Sequence, residues 1–363
     1  MALAFPDMVR HGYVHCTACH TSLAGGNLLN EYGRALSREV LSQSSLGGRP
    51  VVDGDENFLY GFYQPPKDLL LGGDIRILQL FSESKTASRA RFFIMQVDFD
   101  ALYEVSKRIK MFFSVGRVEP QGADSTAQDY VASPRHGIEI LFTAPDAENR
   151  IALRAGRFMP AYGIGFAEHT FVTRRLLDLM PGQERYAAEL AWNNASTSLI
   201  GTALFSQAQA NETKPESGGI LQVSQAIGEN AKVGVNYYQS ELETAKIKFT
   251  RRSMGAFAHM AFNKDWYGLL EIDRFKGVEN TWGLMDTFKL GYEIKQGVHL
   301  IGVHEFSNRD IENAKLKYEA YSIGAEWFPR PHWDFLGLYR RERNSAIRNS
   351  FDDVVWLVAH FYL

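Results

Sequence analysis

From about residue 68 to its end the chain runs in segments of roughly 10–14 residues in which apolar and polar side chains alternate, separated by clusters of turn residues. The stretch Phe92-Phe93-Ile94-Met95-Gln96-Val97-Asp98-Phe99-Asp100-Ala101-Leu102-Tyr103 shows the pattern. Phe93, Met95, Val97, Phe99, Ala101 and Tyr103 fall on one face, and Gln96, Asp98 and Asp100 on the other. A period of two is the signal of a strand with two unlike faces. Strands in soluble proteins average only about 5–6 residues. Longer segments, apolar outside and polar inside, are the signature of a transmembrane β-barrel.

Counting such segments predicts about sixteen strands, beginning near residues 70, 90, 107, 134, 149, 186, 198, 218, 231, 250, 266, 282, 298, 315, 332 and 351. Every second connection is tight, as at Ser106-Lys107, Gly228-Glu229-Asn230, Asn263-Lys264-Asp265 and Gln296-Gly297. The alternate connections are mostly longer and more polar, at residues 119–133, 164–185, 208–218 and 307–315. Short periplasmic turns facing longer outer loops are the pattern of an outer-membrane barrel with both termini periplasmic. The last segment carries Val355, Leu357, Ala359, Phe361 and Leu363 on one apolar face and ends in Phe361-Tyr362-Leu363. That ending is similar to the assembly signal of outer-membrane barrels.

Residues 1–67 read differently. Asn30 to Leu41 places Tyr32, Leu36 and Val40 on one helical face, which predicts a short amphipathic helix. Residues 42–67, rich in Ser, Gly, Pro and Asp, mark a linker or irregular plug. The division is therefore 1–67, a small N-terminal segment, and 68–363, the barrel.

Composition narrows the classes. A formal net charge of -3 over 363 residues offers no electrostatic case for a nucleic-acid partner. No run of 18 apolar residues is present, which excludes a transmembrane helix. The opening Ala2-Leu3-Ala4 has the small-x-small form of a signal-peptidase site.

Both cysteines lie in one window, Cys16-Thr17-Ala18-Cys19-His20. C-x-x-C-H is the attachment pattern of a c-type haem. Two thiols at that spacing reach the two vinyl groups of one porphyrin edge, and His20 then offers its imidazole to the iron. A structural zinc site would need a second ligand pair, and no third cysteine exists. A thioredoxin-like pair would sit in a βαβ unit; here Gly12 to His15 precede it and Leu23-Ala24-Gly25-Gly26 follows. One covalently attached haem c, held outside the cytoplasm, is the expected cofactor. For the second axial ligand His11 is favoured, with His169 and Met8 as rivals; His15 is too tightly tethered to Cys16 to reach the far haem face.

The expected lumen face carries Asp74, Arg76, Asp98, Asp100, Glu139, Glu271, Asp273, Lys289 and Glu293. Barrels of 16–18 strands leave an aqueous lumen, where such charges are solvated. The longest outer connection, 164–185, contains His169, Arg174, Arg175 and Asp178. Folded inward, it would bring Arg174 and Arg175 within reach of a plug, where guanidinium groups match haem propionates bidentately.

An N-terminal C-x-x-C-H followed by about sixteen barrel strands resembles the fused monohaem cytochrome–porins of the outer membrane, whose best-known members are iron oxidases. The runs Arg10-His11-Gly12-Tyr13 and Gly156 to Gly163 are similar to wording typical of that family. The resemblance covers the whole chain as architecture but only Cys16, Cys19 and His20 as motif. It implies haem attachment and ligation by those residues, and one-electron transfer across the outer membrane of a Gram-negative bacterium. The partners would be a periplasmic cytochrome or other redox protein, an extracellular donor or acceptor with Fe(II) as candidate, lipid, and further copies in a homo-trimer. Two other readings stay open: a porin sheath around a separate multihaem cytochrome, and a solute-selective porin with a structural haem.

Overall fold

In the computed structural model, residues 6–26, 28–46, 49–118, 130–168, 170–207, 212–244, 248–277, 280–347 and 350–363 are described. Ala2 to Ala4, His169, and parts of the connections 119–133 and 208–218 lie outside the described residues.

The barrel opens with β1 (Leu69–Glu83), β2 (Ser88–Ser106) and β3 (Ile109–Val118). A fourth strand, β4, is broken into Tyr130–Ala132 and His136–Leu141, and both pieces pair with β3. Next come β5 (Arg150–Phe158), β6 (Arg185–Asn193), β7 (Thr197–Phe205), β8 (Glu212–Ile227), β9 (Ala231–Thr244) and β10 (Lys248–Ala261). The wall continues through β11 (Trp266–Lys276), β12 (Trp282–Lys295), β13 (Val298–Asn308), β14 (Lys317–Trp327), β15 (Trp333–Asn344) and β16 (Asp352–Tyr362). Each strand pairs antiparallel with its neighbours, and β16 closes on β1 with Tyr362 opposite Asp74. Closure leaves no unpaired edge, which a lipid-embedded sheet requires.

The alternation read from the sequence is the inside–outside pattern of this wall. On β2, Gln96, Asp98 and Asp100 are buried, whereas Phe99 is 42% and Tyr103 51% exposed. Met95 departs from expectation. The pairing with β1 slips between Arg76 and Ile77, and this bulge leaves Met95 beside Arg76 and Glu168 in an inner cavity rather than outside. A bulge places an extra residue in one strand and so shifts its face. On β16 the outward face is as expected, with Leu357 half-exposed. The opposite face sends His360 and Tyr362 into the lumen, both buried.

Two segments fill the lumen. From the short-turn end comes the N-terminal segment: a 3-10 turn at Pro6–His11, the C-x-x-C-H residues, and α1 (Glu31–Leu36), which continues as a π-turn over Ser37–Leu41. Gly33, Leu36, Ser37 and Leu41 face inward, while Tyr32, expected on the packed face, is 52% exposed. The connection from β5 to β6 folds inward and carries a one-turn helix at Val172–Arg175, α2. Ile164, Phe166 and Phe171 from it pack in one apolar cluster with Val9 of the N-terminal segment and with Phe257, Tyr267, Leu269 and Val303 of the wall.

Candidate functional site

The N-terminal segment is tied to the barrel at several points around its short-turn end. Arg10 pairs with Glu293 on β12 and donates to the carbonyl of Lys264 at 3.4 Å. The His15 ring is 2.9 Å from the Ala195 carbonyl, and Arg150 donates to Thr17 at 3.2 Å. Ser22 donates to Glu139 at 2.6 Å, Asn193 to the Leu23 carbonyl at 2.6 Å, and Arg34 to the Leu71 carbonyl at 2.6 Å. Ser37 meets the Tyr362 hydroxyl at 3.0 Å. Glu139 and Glu293, read from the sequence as solvated lumen charges, are thus anchors for this segment.

These anchors hold Cys16, Cys19 and His20 against a slot. Its lining also includes Met8, Val14, His15, Leu29, Leu36 and Leu41 from the same segment, with His259, His360 and Tyr362 from the wall. The slot is a small cavity of about 70 Å³, and most of the side chains around it are apolar. α1 lies close on the motif: a side chain at Gly33 would place its Cβ 2.4 Å from the Cys19 carbonyl oxygen, so only glycine allows this approach.

Neither cysteine is in a disulfide, and both are half-buried. Burial pushes the Cys19 thiol up to about 11. Reactive redox C-x-x-C pairs show the opposite shift, toward a stabilised thiolate. Among the described residues no group of three or more His, Cys, Asp and Glu is arranged to hold a bare metal ion. What the slot offers fits a flat macrocycle better than either alternative. It brings two thiols and one imidazole from the motif to an apolar interior. It also holds a buried ring nitrogen, Nε2 of His259, with no hydrogen-bond partner.

The remaining sequence candidates fall in different places. Met8 lines the slot. His11 does not: it ends the 3-10 turn on the exposed side, while Asp7, Val9 and Arg10 take the buried positions. Arg174 and Arg175 do not line it either. Arg174 is buried in the inward loop, donating to the Tyr162 carbonyl at 2.9 Å. Arg175 lies over the Tyr318 ring at 5.2 Å, in a cavity of about 570 Å³ at the long-loop end. The loop does turn inward, but its charges are used against the wall. The cations near the motif are Arg34, Lys67, Lys107, Arg108, Lys110 and Arg150, around an open cavity of about 720 Å³ that shares His20 with the slot.

His259, His360 and Tyr362 carry no local motif in the sequence. The available signal was parity: in a wall strand, His259 shares the inward face with Phe257, close to the short turn 262–265.

No protein-family model matches the chain, and no curated protein matches its sequence. Solved structures do match it in fold. OmpT of Vibrio cholerae is 12% identical with a TM-score of 0.59, over 83% of this chain and 99% of that one. An anion-selective porin from Comamonas acidovorans is 12% identical with a TM-score of 0.56, over 81% and 99%. The outer membrane channel DcaP of Acinetobacter baumannii is 11% identical with a TM-score of 0.54, over 81% and 97%. At these identities the likeness is one of fold, and the fold is that of a porin-type barrel.

Proposed function

We propose that this chain is an outer-membrane cytochrome–porin, with one haem c attached at Cys16 and Cys19 and His20 as an iron ligand. It would pass single electrons between an extracellular donor or acceptor, Fe(II) being the candidate donor, and a periplasmic redox protein. The observation that carries this reading is the slot. Cys16, Cys19 and His20 line a mostly apolar space to which the wall contributes His259, His360 and Tyr362.

A haem held there would supply one-electron iron chemistry, with a potential set by its axial ligands and burial. The chain's own residues do the rest. Leu29, Leu36, Leu41 and Val14 keep water from the slot, and Arg10, Ser22 and Arg34 hold the segment in the barrel mouth. A segment of this size would fold poorly alone, and the wall supplies the contacts it lacks.

A second reading is supported by the fold likeness: a solute-selective porin whose haem is structural. The matched structures include a channel and an anion-selective porin by description. The N-terminal segment and the inward loop both occupy the lumen, which favours the first reading over a wide solute path and over a sheath for another cytochrome. The first test is chemical. The protein, expressed with a cytochrome c maturation system, should retain haem on a denaturing gel. A Cys16→Ala/Cys19→Ala variant should lose it; a wild-type chain with no covalent haem would overturn the proposal.

A further inference from the structure

We propose that the second axial ligand is His259, supplied by the barrel wall rather than by the N-terminal segment. The inference rests on the haem reading above and deepens it.

His259 lies on β10 with its side chain turned inward and only 8% of the residue exposed. It lines the same slot as Cys16, Cys19 and His20. Its Nε2 is buried and has no hydrogen-bond partner. Buried polar atoms in folded proteins are nearly always paired, so an orphan in a cavity asks for a partner the protein chain does not contain. A neutral imidazole nitrogen is a common axial donor to haem iron.

The other donors near the slot are less suited. His360 lines it, but its ring is engaged by Asp74 at 2.9 Å and by Arg76 at 3.2 Å. His15 is engaged by the Ala195 carbonyl. His11 is outside the slot. Met8 lines it and is the one rival, on a 3-10 turn that packs against β10 and β11. The two differ in how they are held. His259 is fixed in the ladder on both sides, opposite Lys232 and Leu269, so its ring comes from a rigid wall. Preorganised ligands on rigid elements give the more defined site.

Ligation by His259 has a structural consequence. The cytochrome segment would be bonded through iron to the barrel, so it would not be a separable domain, and six-coordination would require the closed barrel.

The test uses the full-length, haem-loaded protein in detergent. Ferric His259→Ala should lose the low-spin visible and electron paramagnetic resonance signals and become high-spin, with added imidazole restoring the low-spin form. The reduced variant should bind carbon monoxide, unlike wild type. Met8→Leu should keep the low-spin spectrum. Heat-modifiable gel mobility reports that the barrel is folded; should His259→Ala fail to fold, His259→Met should instead replace the wild-type spectrum by one with the near-infrared sulfur-to-iron band. A low-spin spectrum unchanged in a folded His259 variant, or lost in Met8→Leu, would overturn the assignment while leaving the haem reading intact. Absence of covalent haem from the wild type would overturn both.

Discussion

The guanidinium of Arg10 is paired with the carboxylate of Glu293, across the boundary between the N-terminal segment and the barrel wall. The Arg10 side chain is fully buried and that of Glu293 is 11% exposed. Removing one partner of such a pair strands a charge, at about 3–5 kcal/mol. Arg10→Ala should therefore loosen the segment and leave the barrel closed. Limited proteolysis should cut the variant near the motif much faster than wild type, with unchanged heat-modifiable mobility. Equal cleavage rates would show that the pair does not anchor the segment.

Gly33 offers a second test at the motif itself. An added Cβ would lie 2.4 Å from the Cys19 carbonyl oxygen, a backbone atom that cannot yield cheaply. Gly33→Ala should push α1 away from the motif and lower the covalently haem-loaded fraction severalfold, measured by haem stain against total protein. Gly165→Ala, where the new Cβ meets nothing within 4 Å, is the control and should load normally. Wild-type loading in Gly33→Ala would contradict the described packing.

The inward loop should govern passage through the lumen. Tyr162 donates to Asp273 at 2.5 Å and its oxygen lies 2.9 Å from the Ser253 hydroxyl, and the Ile164 amide donates to Glu271 at 2.7 Å. Tyr162→Phe leaves Asp273 short of a donor, a loss of about 1–3 kcal/mol. It should lower the thermal midpoint without changing the fold. A variant with residues 164–179 replaced by a short Gly-Ser link should conduct severalfold more in a planar bilayer. Unchanged conductance would mean that the loop does not obstruct the lumen.

Much of the wall was legible because each strand writes its two environments directly into alternate residues. The expected starts near 231, 266, 282 and 298 coincide with the strands that begin at Ala231, Trp266, Trp282 and Val298. Where side chains alone do not define the ladder, reading was poorer. β8 begins at Glu212, not near 218, because its polar first residues extend past the apolar part of the segment. Alternation alone puts Met95 outside, because a bulge leaves no mark in composition. Tyr32 shares a helical face with buried Leu36 yet is exposed, because it stands in the first turn of α1 with its hydroxyl on that of Tyr13.

The site divides along the same line. Cys16, Cys19 and His20 are legible because they form one contiguous C-x-x-C-H motif. His259 and His360 are not, because they reach the slot only through barrel closure, and nothing local joins residue 259 to residue 20. An inward fold of 164–185 is expected to carry Arg174 and Arg175 to the plug, whereas buried acids of the wall, Glu271 and Asp273, face the loop that carries Arg174.

The central claim, that this polypeptide carries electrons across a bilayer by its own bound haem, has one direct test. Purified haem-loaded protein is reconstituted into liposomes filled with an impermeant electron acceptor, and Fe(II) or dithionite is added outside. The account predicts reduction inside that is lost in the Cys16→Ala/Cys19→Ala variant. Reduction that persists in that variant, or is missing with fully haem-loaded wild type, would contradict it.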